Sequence, residues 1–266
     1  MKYIATISFG KDSTVMCDLL LKNGYPVDFI LFNDTLMEFP MMYEYQKKVE
    51  IYFKERYNKE IITTKPTKTF EETIFGIIKT KGAERIRWIR GIPNPMLGFC
   101  EWRRDSKVYP QDRIIKELIG KEEYKTYIGF TKNEASRKMK GDNFLYPLVD
   151  DFKMTERNCQ EYLINQEMEN PLYKYFSRTG CGICPAQSDK AWYEVYKHFP
   201  ETWKHMKLVE KRFDFYKERG YKVVNAFWFV NDKRTEDMEK KFIKADKQGS
   251  LFDFSDEPVK DCFCKI

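Results

Sequence analysis

Apolar positions alternate at the start of the chain, at Tyr3, Ala5 and Ile7, and that period predicts a β-strand. From Ser13 the period changes. Val15, Met16, Leu19 and Leu20 fall at helical spacing, and Asn23–Gly24 is an ordinary helix stop. Pro26–Phe32 reads as a second, buried strand that ends on the polar residues Asn33, Asp34 and Thr35. Glu38–Phe39–Pro40 then leads into a helix with Tyr45, Val49 and Tyr52/Phe53 on one face. Lys59–Thr64 reads as a third strand, and Thr69-x-x-Glu72 is a capping box for a helix expected to reach about Ile78. Strand and helix alternate three times, which is the rhythm of a parallel sheet.

The pattern breaks between Lys79 and Lys107. Lys79, Lys81, Arg85, Arg87, Arg90, Arg103, Arg104 and Lys107 stand there against only Glu84, Glu101 and Asp105, punctuated by Gly91, Pro93, Pro95 and Gly98. This reads as a basic loop suited to a sulfate, a phosphate or a nucleic-acid backbone. Regular structure resumes with a helix near Gln111–Leu118, strands at Tyr124–Phe130 and around Phe144–Val149, and a helix from about Thr155. Further on, two helices meet at Pro200, the second with Met206, Val209, Phe213 and Tyr216 on one face. The apolar run Val223–Val230, a charged helix and a loose tail follow. The expected fold is α/β, a doubly wound parallel sheet of about five strands with helices on both faces. A nucleotide-binding domain is expected over 1–150 and a helical, cysteine-bearing region over 151–266.

Composition changes this picture only at the margins. With 266 residues, 42% hydrophobic and 33% charged, the chain is of ordinary globular type, and a net charge of +6 is a mild bias toward anionic partners. No run approaches the ~18 apolar residues of a membrane span. The chain opens directly on a strand, so no signal peptide fits and a cytoplasmic location is expected. Seven cysteines in a reducing compartment point to metal or redox chemistry rather than disulfides. The two histidines, His198 and His205, both fall in helical stretches, which argues against a Cys–His catalytic pair.

The turn between the first strand and helix carries the strongest chemistry. Ser8, Phe9, Gly10, Lys11, Asp12, Ser13 and Thr14 sit where backbone N–H groups and the positive helix end favour an anion. Gly10 would let the backbone approach it, Lys11 adds charge, and Ser8 and Ser13 add hydroxyl donors. The Walker A pattern is absent. Ser-x-Gly-Lys-Asp-Ser instead resembles the pyrophosphatase loop (PP-loop) of N-type ATP pyrophosphatases and the phosphoadenosine phosphosulfate (PAPS) reductase family. Asp34 and Thr35, at the end of the second strand, lie where such sheets bind ligands.

Three more blocks are similar to that family. Cys100 with Lys107 and Pro110 is one, and Gly129–Phe130–Thr131–Lys132–Asn133–Glu134–Ala135 is another. The third runs from Asn170–Pro171–Leu172–Tyr173 through Phe176–Cys181 to Cys184–Pro185. In the second, Thr131 departs from the family, which usually has Arg there; Lys132 or Arg137 is the alternative source of charge. Cys181–Gly182–Ile183–Cys184 has the spacing of zinc sites and of iron–sulfur sites alike. The resemblance implies a Rossmann-like, adenine nucleotide alpha hydrolase-like fold. It also implies a [4Fe–4S] centre on Cys100, Cys181 and Cys184, with zinc as the alternative. Cys262 and Cys264 are candidates for the fourth ligand, Cys264 being preferred, while Cys17 and Cys159 read as buried small residues.

The activity the resemblance implies first is ATP-dependent adenylation with release of pyrophosphate, coupled to sulfur transfer to a nucleic acid such as tRNA or DNA. ATP, Mg²⁺ and the cluster would be its cofactors. Lys11 and Asp12 would act at the phosphates, and Gly129, Glu134 and Arg137 would complete the nucleotide site. A homodimer or an accessory protein partner is compatible with it. The alternative is a sulfonucleotide reductase in which Cys262 or Cys264 is the nucleophile. The tail Asp261–Cys262–Phe263–Cys264–Lys265 lacks the Gly and His of the reductases' Glu–Cys–Gly–x–His segment, and no adjacent Cys–Cys pair is present. Both absences weigh against sulfate assimilation. A non-catalytic nucleotide-binding accessory protein with a structural metal site is the third reading.

Overall fold

The computed structural model describes residues 1–78, 87–93, 100–248 and 254. In chain order the elements are β1 (Lys2–Ile7), α1 (Lys11–Lys22), β2 (Phe29–Asn33), α2 (Pro40–Tyr57), β3 (Ile61–Thr64), α3 (Phe70–Ile74), β4 (Ile77–Ile78) and β5 (Trp88–Gly91). Next come α4 (Glu101–Arg103), a π-helical turn at Arg104–Val108, α5 (Tyr109–Ile119), β6 (Tyr124–Tyr127), a 3₁₀ segment at Lys132–Arg137 and β7 (Phe144–Leu145). The chain continues with α6 (Pro147–Asp150), α7 (Glu156–Asn165), a 3₁₀ turn at Pro171–Lys174, α8 (Asp189–His198) and α9 (Pro200–Glu218). β8 (Lys222–Asn225), a 3₁₀ turn at Val230–Asp232 and α10 (Thr235–Gln248) complete it.

These elements form two compact units, each discontinuous in sequence. The first holds residues 1–67 and 105–174, the second 68–104 and 175–262. The chain passes between the units at 67/68, 104/105 and 174/175.

In the first unit a five-stranded sheet runs β3-β2-β1-β6-β7, and every neighbouring pair is parallel. Ile4 and Leu31 on one face meet Ile115 and Ile119 of α5. The pleat turns Ala5 and Ile7 to the other face, where α1 packs on β1. Val15, Met16 and Leu20 bury that side of α1. Asp18, also buried in α1, accepts from the hydroxyls of Tyr52 at 3.0 Å, Tyr57 at 2.7 Å and Tyr162. One carboxylate so ties α1 to α2 and α7, and its buried charge is satisfied by hydrogen bonds.

The second unit carries a three-stranded sheet, β4-β5-β8, antiparallel at β4–β5 and parallel at β5–β8. Gly91 ends β5 at φ +82°, and a Cβ there would lie 2.0 Å from the Asn225 carbonyl oxygen. Only glycine fits. In this unit Trp192, Trp203, Phe229 and Phe242 form a buried aromatic cluster, and the buried Trp228 indole N–H donates to the Met206 carbonyl at 3.2 Å.

Several expectations need correction. The capping box at Thr69 forms, but its helix stops at Ile74, because Ile77 and Ile78 are drawn into strand pairing with Ile89 and Trp88. The basic stretch is not all loop. Trp88–Gly91 is a strand and Glu101–Arg103 is helical, while Lys79, Lys81 and Arg85 lie outside the described residues. The strand expected to reach Phe130 ends at Tyr127, and the one expected to reach Val149 ends at Leu145, where Pro147 starts a helix. The apolar run Val223–Val230 is strand only to Asn225, and its later residues Trp228 and Phe229 go into the core.

Candidate functional site

The strand order changes direction at β1, with β2 on one side and β6 on the other. A crevice at the carboxyl end of such a strand is where open α/β sheets take ligands. The Ser8–Lys11 turn starts there. Its left-handed residue is Phe9, at φ +54°, whereas Gly10 is extended at φ −75°, ψ 160°. A bulky residue in the left-handed region costs energy and persists only when its surroundings over-determine it. The Phe9 ring is fully buried and meets Phe32 edge-on, 4.6 Å between centroids. Its carbonyl accepts from Asn170 Nδ2 at 2.9 Å.

The two serines hold each other. The Ser8 N–H donates to Ser13 Oγ at 3.0 Å, and the Ser13 hydroxyl donates to the Gly10 carbonyl at 3.2 Å. The two hydroxyl oxygens are 3.0 Å apart. With the Ser13 proton given to Gly10, Ser8 is the donor in that contact, and its exposed hydroxyl can be redirected to an incoming anion.

Lys11 opens α1 and is buried. Its Nζ lies 2.9 Å from Glu156 Oε2 and 3.5 Å from Asp12 Oδ2, and 5.4 Å from the centre of the Tyr173 ring. Burial pushes its pKa down, but Tyr173, Asp12 and Glu156 together outweigh burial and hold the ammonium charged above the ordinary lysine range. The Lys11 N–H donates to the Tyr173 hydroxyl at 2.8 Å. Cys159 is buried beside Asp12, and burial first, then that carboxylate, pushes its thiol pKa up. It is inert, like the buried Cys17.

Asp34 and Thr35 lie buried beyond β2. Asp34 Oδ1 accepts from the Leu36 N–H at 2.8 Å and the Tyr43 hydroxyl at 3.0 Å. Thr35 donates to Glu38 Oε1 at 2.9 Å. Burial pushes the Glu38 pKa up, and Lys107 and Thr35 offset only part of that. Gly129 sits under the start of α1, where a Cβ would lie 2.9 Å from Ser13 Cα, so it serves as a close-packing position for the helix. Thr131 is fully buried. Arg137, a candidate to replace the family's arginine, pairs with Glu134 at 2.5 Å and covers the Phe130 ring at 5.0 Å.

Ser8 to Thr14 therefore converge with Glu156, Asn170 and Tyr173 in the first unit. The sequence reading missed Glu156 and the roles of Asn170 and Tyr173. The Asn170–Tyr173 block was visible as a motif, but nothing in it tells that one residue grips Phe9 and another Lys11.

The cysteine turn belongs to the second unit. The Cys184 N–H donates to the Cys181 carbonyl at 3.1 Å, and the buried Gln187 amide donates to the carbonyls of Gly182 at 3.0 Å and Cys181 at 3.3 Å. Cys100 precedes α4, where Glu101 pairs with Arg90 at 2.8 Å. Among the described residues no three His, Cys, Asp or Glu side chains converge as metal ligands. Cys262 and Cys264, expected as nucleophile or fourth ligand, lie outside the described residues. No described helix is long and apolar enough to cross a membrane.

A parallel sheet with a reversal at β1, and a buried lysine on the turn beside it, define a doubly wound α/β protein. The phosphoadenosine phosphosulfate reductase domain matches residues 2–187, and the chain belongs to that family. It is 27% identical over 230 residues to an uncharacterized protein of Methanocaldococcus jannaschii, covering 84% of this chain and 50% of that one. The chain thus spans half the length of this curated relative. It is also similar to the crystal structure of a phosphoadenylyl-sulfate (PAPS) reductase from Candida auris in a phosphate complex. That similarity has a TM-score of 0.47 at 21% identity and covers 68% of this chain and 81% of the other.

Proposed function

We propose that the first unit binds an adenine nucleotide with its anionic tail at the start of α1 and activates it for transfer. The observation that carries this reading is the buried, charged Lys11 at the sheet reversal, neutralised by a half-exposed Glu156. A phosphate in that crevice takes over the role of counter-charge, with the Ser8 and Ser13 hydroxyls in reach of the same place. In the step proposed, an acceptor oxygen attacks the α-phosphorus of ATP. The bond to the bridging oxygen breaks, and pyrophosphate leaves with the electron pair. Lys11 and the turn stabilise the charge that builds on pyrophosphate. Asp12 keeps Lys11 in place. Magnesium carried by the nucleotide needs only one or two carboxylates from a protein, so it requires no three-ligand group here. No group of three metal-ligating side chains is found among the described residues, and the proposed step does not pass through a [4Fe–4S] or zinc centre.

Family membership favours a second reading, sulfonucleotide reduction. There a Cys262 or Cys264 thiolate attacks the sulfur of a phosphosulfate, and the nucleotide phosphate leaves. A dithiol reductant then releases sulfite from the resulting Cys S-sulfonate and is itself oxidised to a disulfide.

One assay separates the two readings. Pyrophosphate formed from ATP supports adenylation, and sulfite formed from a sulfonucleotide with a dithiol supports reduction. In either case Lys11→Met weakens nucleotide binding, measured by calorimetry, by about ten-fold or more. Nucleotide affinity unchanged by Lys11→Met sinks the site assignment.

A further inference from the structure

Charge is distributed unequally along this chain. Residues 68–104 and 175–262, the second unit, carry 25 Lys and Arg against 19 Asp and Glu, while the rest carries 22 against 22. The whole net charge of +6 therefore belongs to the second unit. Part of that excess lies on one face of α9. Lys204, Leu208, Lys211, Phe215 and Arg219 recur at helical spacing and are all exposed, Leu208 by 56% and Phe215 by 48%. Glu218 shares the face, as does Glu201, 3.7 Å from Lys204, so among the described residues its free cations are Lys211 and Arg219, at the C-terminal end. From Lys204 to Arg219 this stripe is about 22 Å long. The Arg219 guanidinium lies 3.3 Å from the centre of the Phe215 ring. Beyond the helix, Tyr221 accepts from Arg87 at 3.2 Å, and Lys222 lies 5.2 Å from the centre of the Trp88 ring.

We infer that this face of α9, continued by Lys222, Trp88 and Arg87, binds single-stranded nucleic acid. Lys211, Arg219, Lys222 and Arg87 beside the rings of Phe215 and Trp88 match what such a strand presents, phosphates along one edge and unpaired bases along the other. A guanidinium resting on Phe215 offers its outer plane to a base. Two exposed apolar side chains on a stripe of this length give little to insert into a lipid surface. The assignment does not depend on the nucleotide site, which belongs to the other unit.

The test is fluorescence anisotropy of the full chain with a mixed-sequence 15-nucleotide RNA. With contacts from Lys211, Arg219, Lys222 and Arg87, log K should fall with log[salt] at a slope of about −3. Lys211→Glu combined with Arg219→Glu should weaken binding about ten-fold or more at low salt. Phe215→Ala should weaken it about five-fold while leaving the salt slope unchanged. Lys121→Glu, an exposed control in the first unit, should change nothing, and circular dichroism shows that each variant is folded. Three outcomes overturn the assignment: no binding at low salt, tighter binding to the matched duplex or to anionic vesicles, or binding that ignores the α9 substitutions.

Discussion

Two short turns carry the chemistry-bearing residues of this chain, and they are held in different ways. The Ser8–Lys11 turn is gripped by side chains from distant segments: Asn170 on the Phe9 carbonyl, Tyr173 on the Lys11 amide and Glu156 on its ammonium. The Cys181–Cys184 turn is braced locally, by the Cys184 N–H on the Cys181 carbonyl and by the Gln187 amide a few residues on. Distant grips fix both position and charge, which is what preorganised binding needs. A local brace fixes shape alone.

The largest test of this contrast is at Phe9. Removing a fully buried ring costs about 3–5 kcal/mol, so Phe9→Ala should lower the denaturation midpoint sharply. Because φ is +54°, Phe9→Gly should be the less damaging of the two by about 1 kcal/mol, the reverse of the usual order. Glycine proving worse than alanine would mean that the turn is not strained, and the grip by Asn170 would lose its purpose.

What was legible in the sequence follows the same division. Strand β1, helix α1 and the Thr69 capping box came from local spacing and appear where that spacing put them. The length of α3 did not, because the fate of Ile77 and Ile78 depends on a partner strand that reads as loop. That strand, Trp88–Gly91, is flanked and interrupted by Arg87, Arg90 and Gly91, whose character is set by pairing rather than by propensity. Within the site, Lys11 and the serines were visible. Glu156 and the role of Tyr173 were not, since these residues stand 145 and 162 positions from Lys11 and only folding brings them near.

A smaller effect is expected at the locally braced turn. Gln187→Ala removes the amide that bridges Cys181 and Gly182, at a cost of about 1–2 kcal/mol. The loss should be confined to this turn, with Cys181 and Cys184 alkylated faster by iodoacetamide and nucleotide affinity unchanged. Unaltered alkylation would show that the turn has a hold besides Gln187.

The smallest effect separates two titratable groups near the proposed nucleotide site, Lys11 and Glu38. Lys11 is held charged by its partners, whereas Glu38 is pushed toward its neutral form by burial. A carboxyl whose folded pKa lies above its unfolded value binds its proton more tightly in the folded state. Folding is then favoured at acid pH, and that contribution is lost as pH rises through the raised pKa. Glu38→Gln keeps an oxygen to accept the Thr35 hydroxyl and removes the titration. The variant should match the parent in Tm below the ordinary carboxylate range and exceed it slightly above the Glu38 pKa. A parent more stable than the variant at neutral pH would mean that Lys107 and Thr35 outweigh burial at Glu38. Glu38 would then favour its ionised form, as Lys11 does, and the difference between the two would disappear.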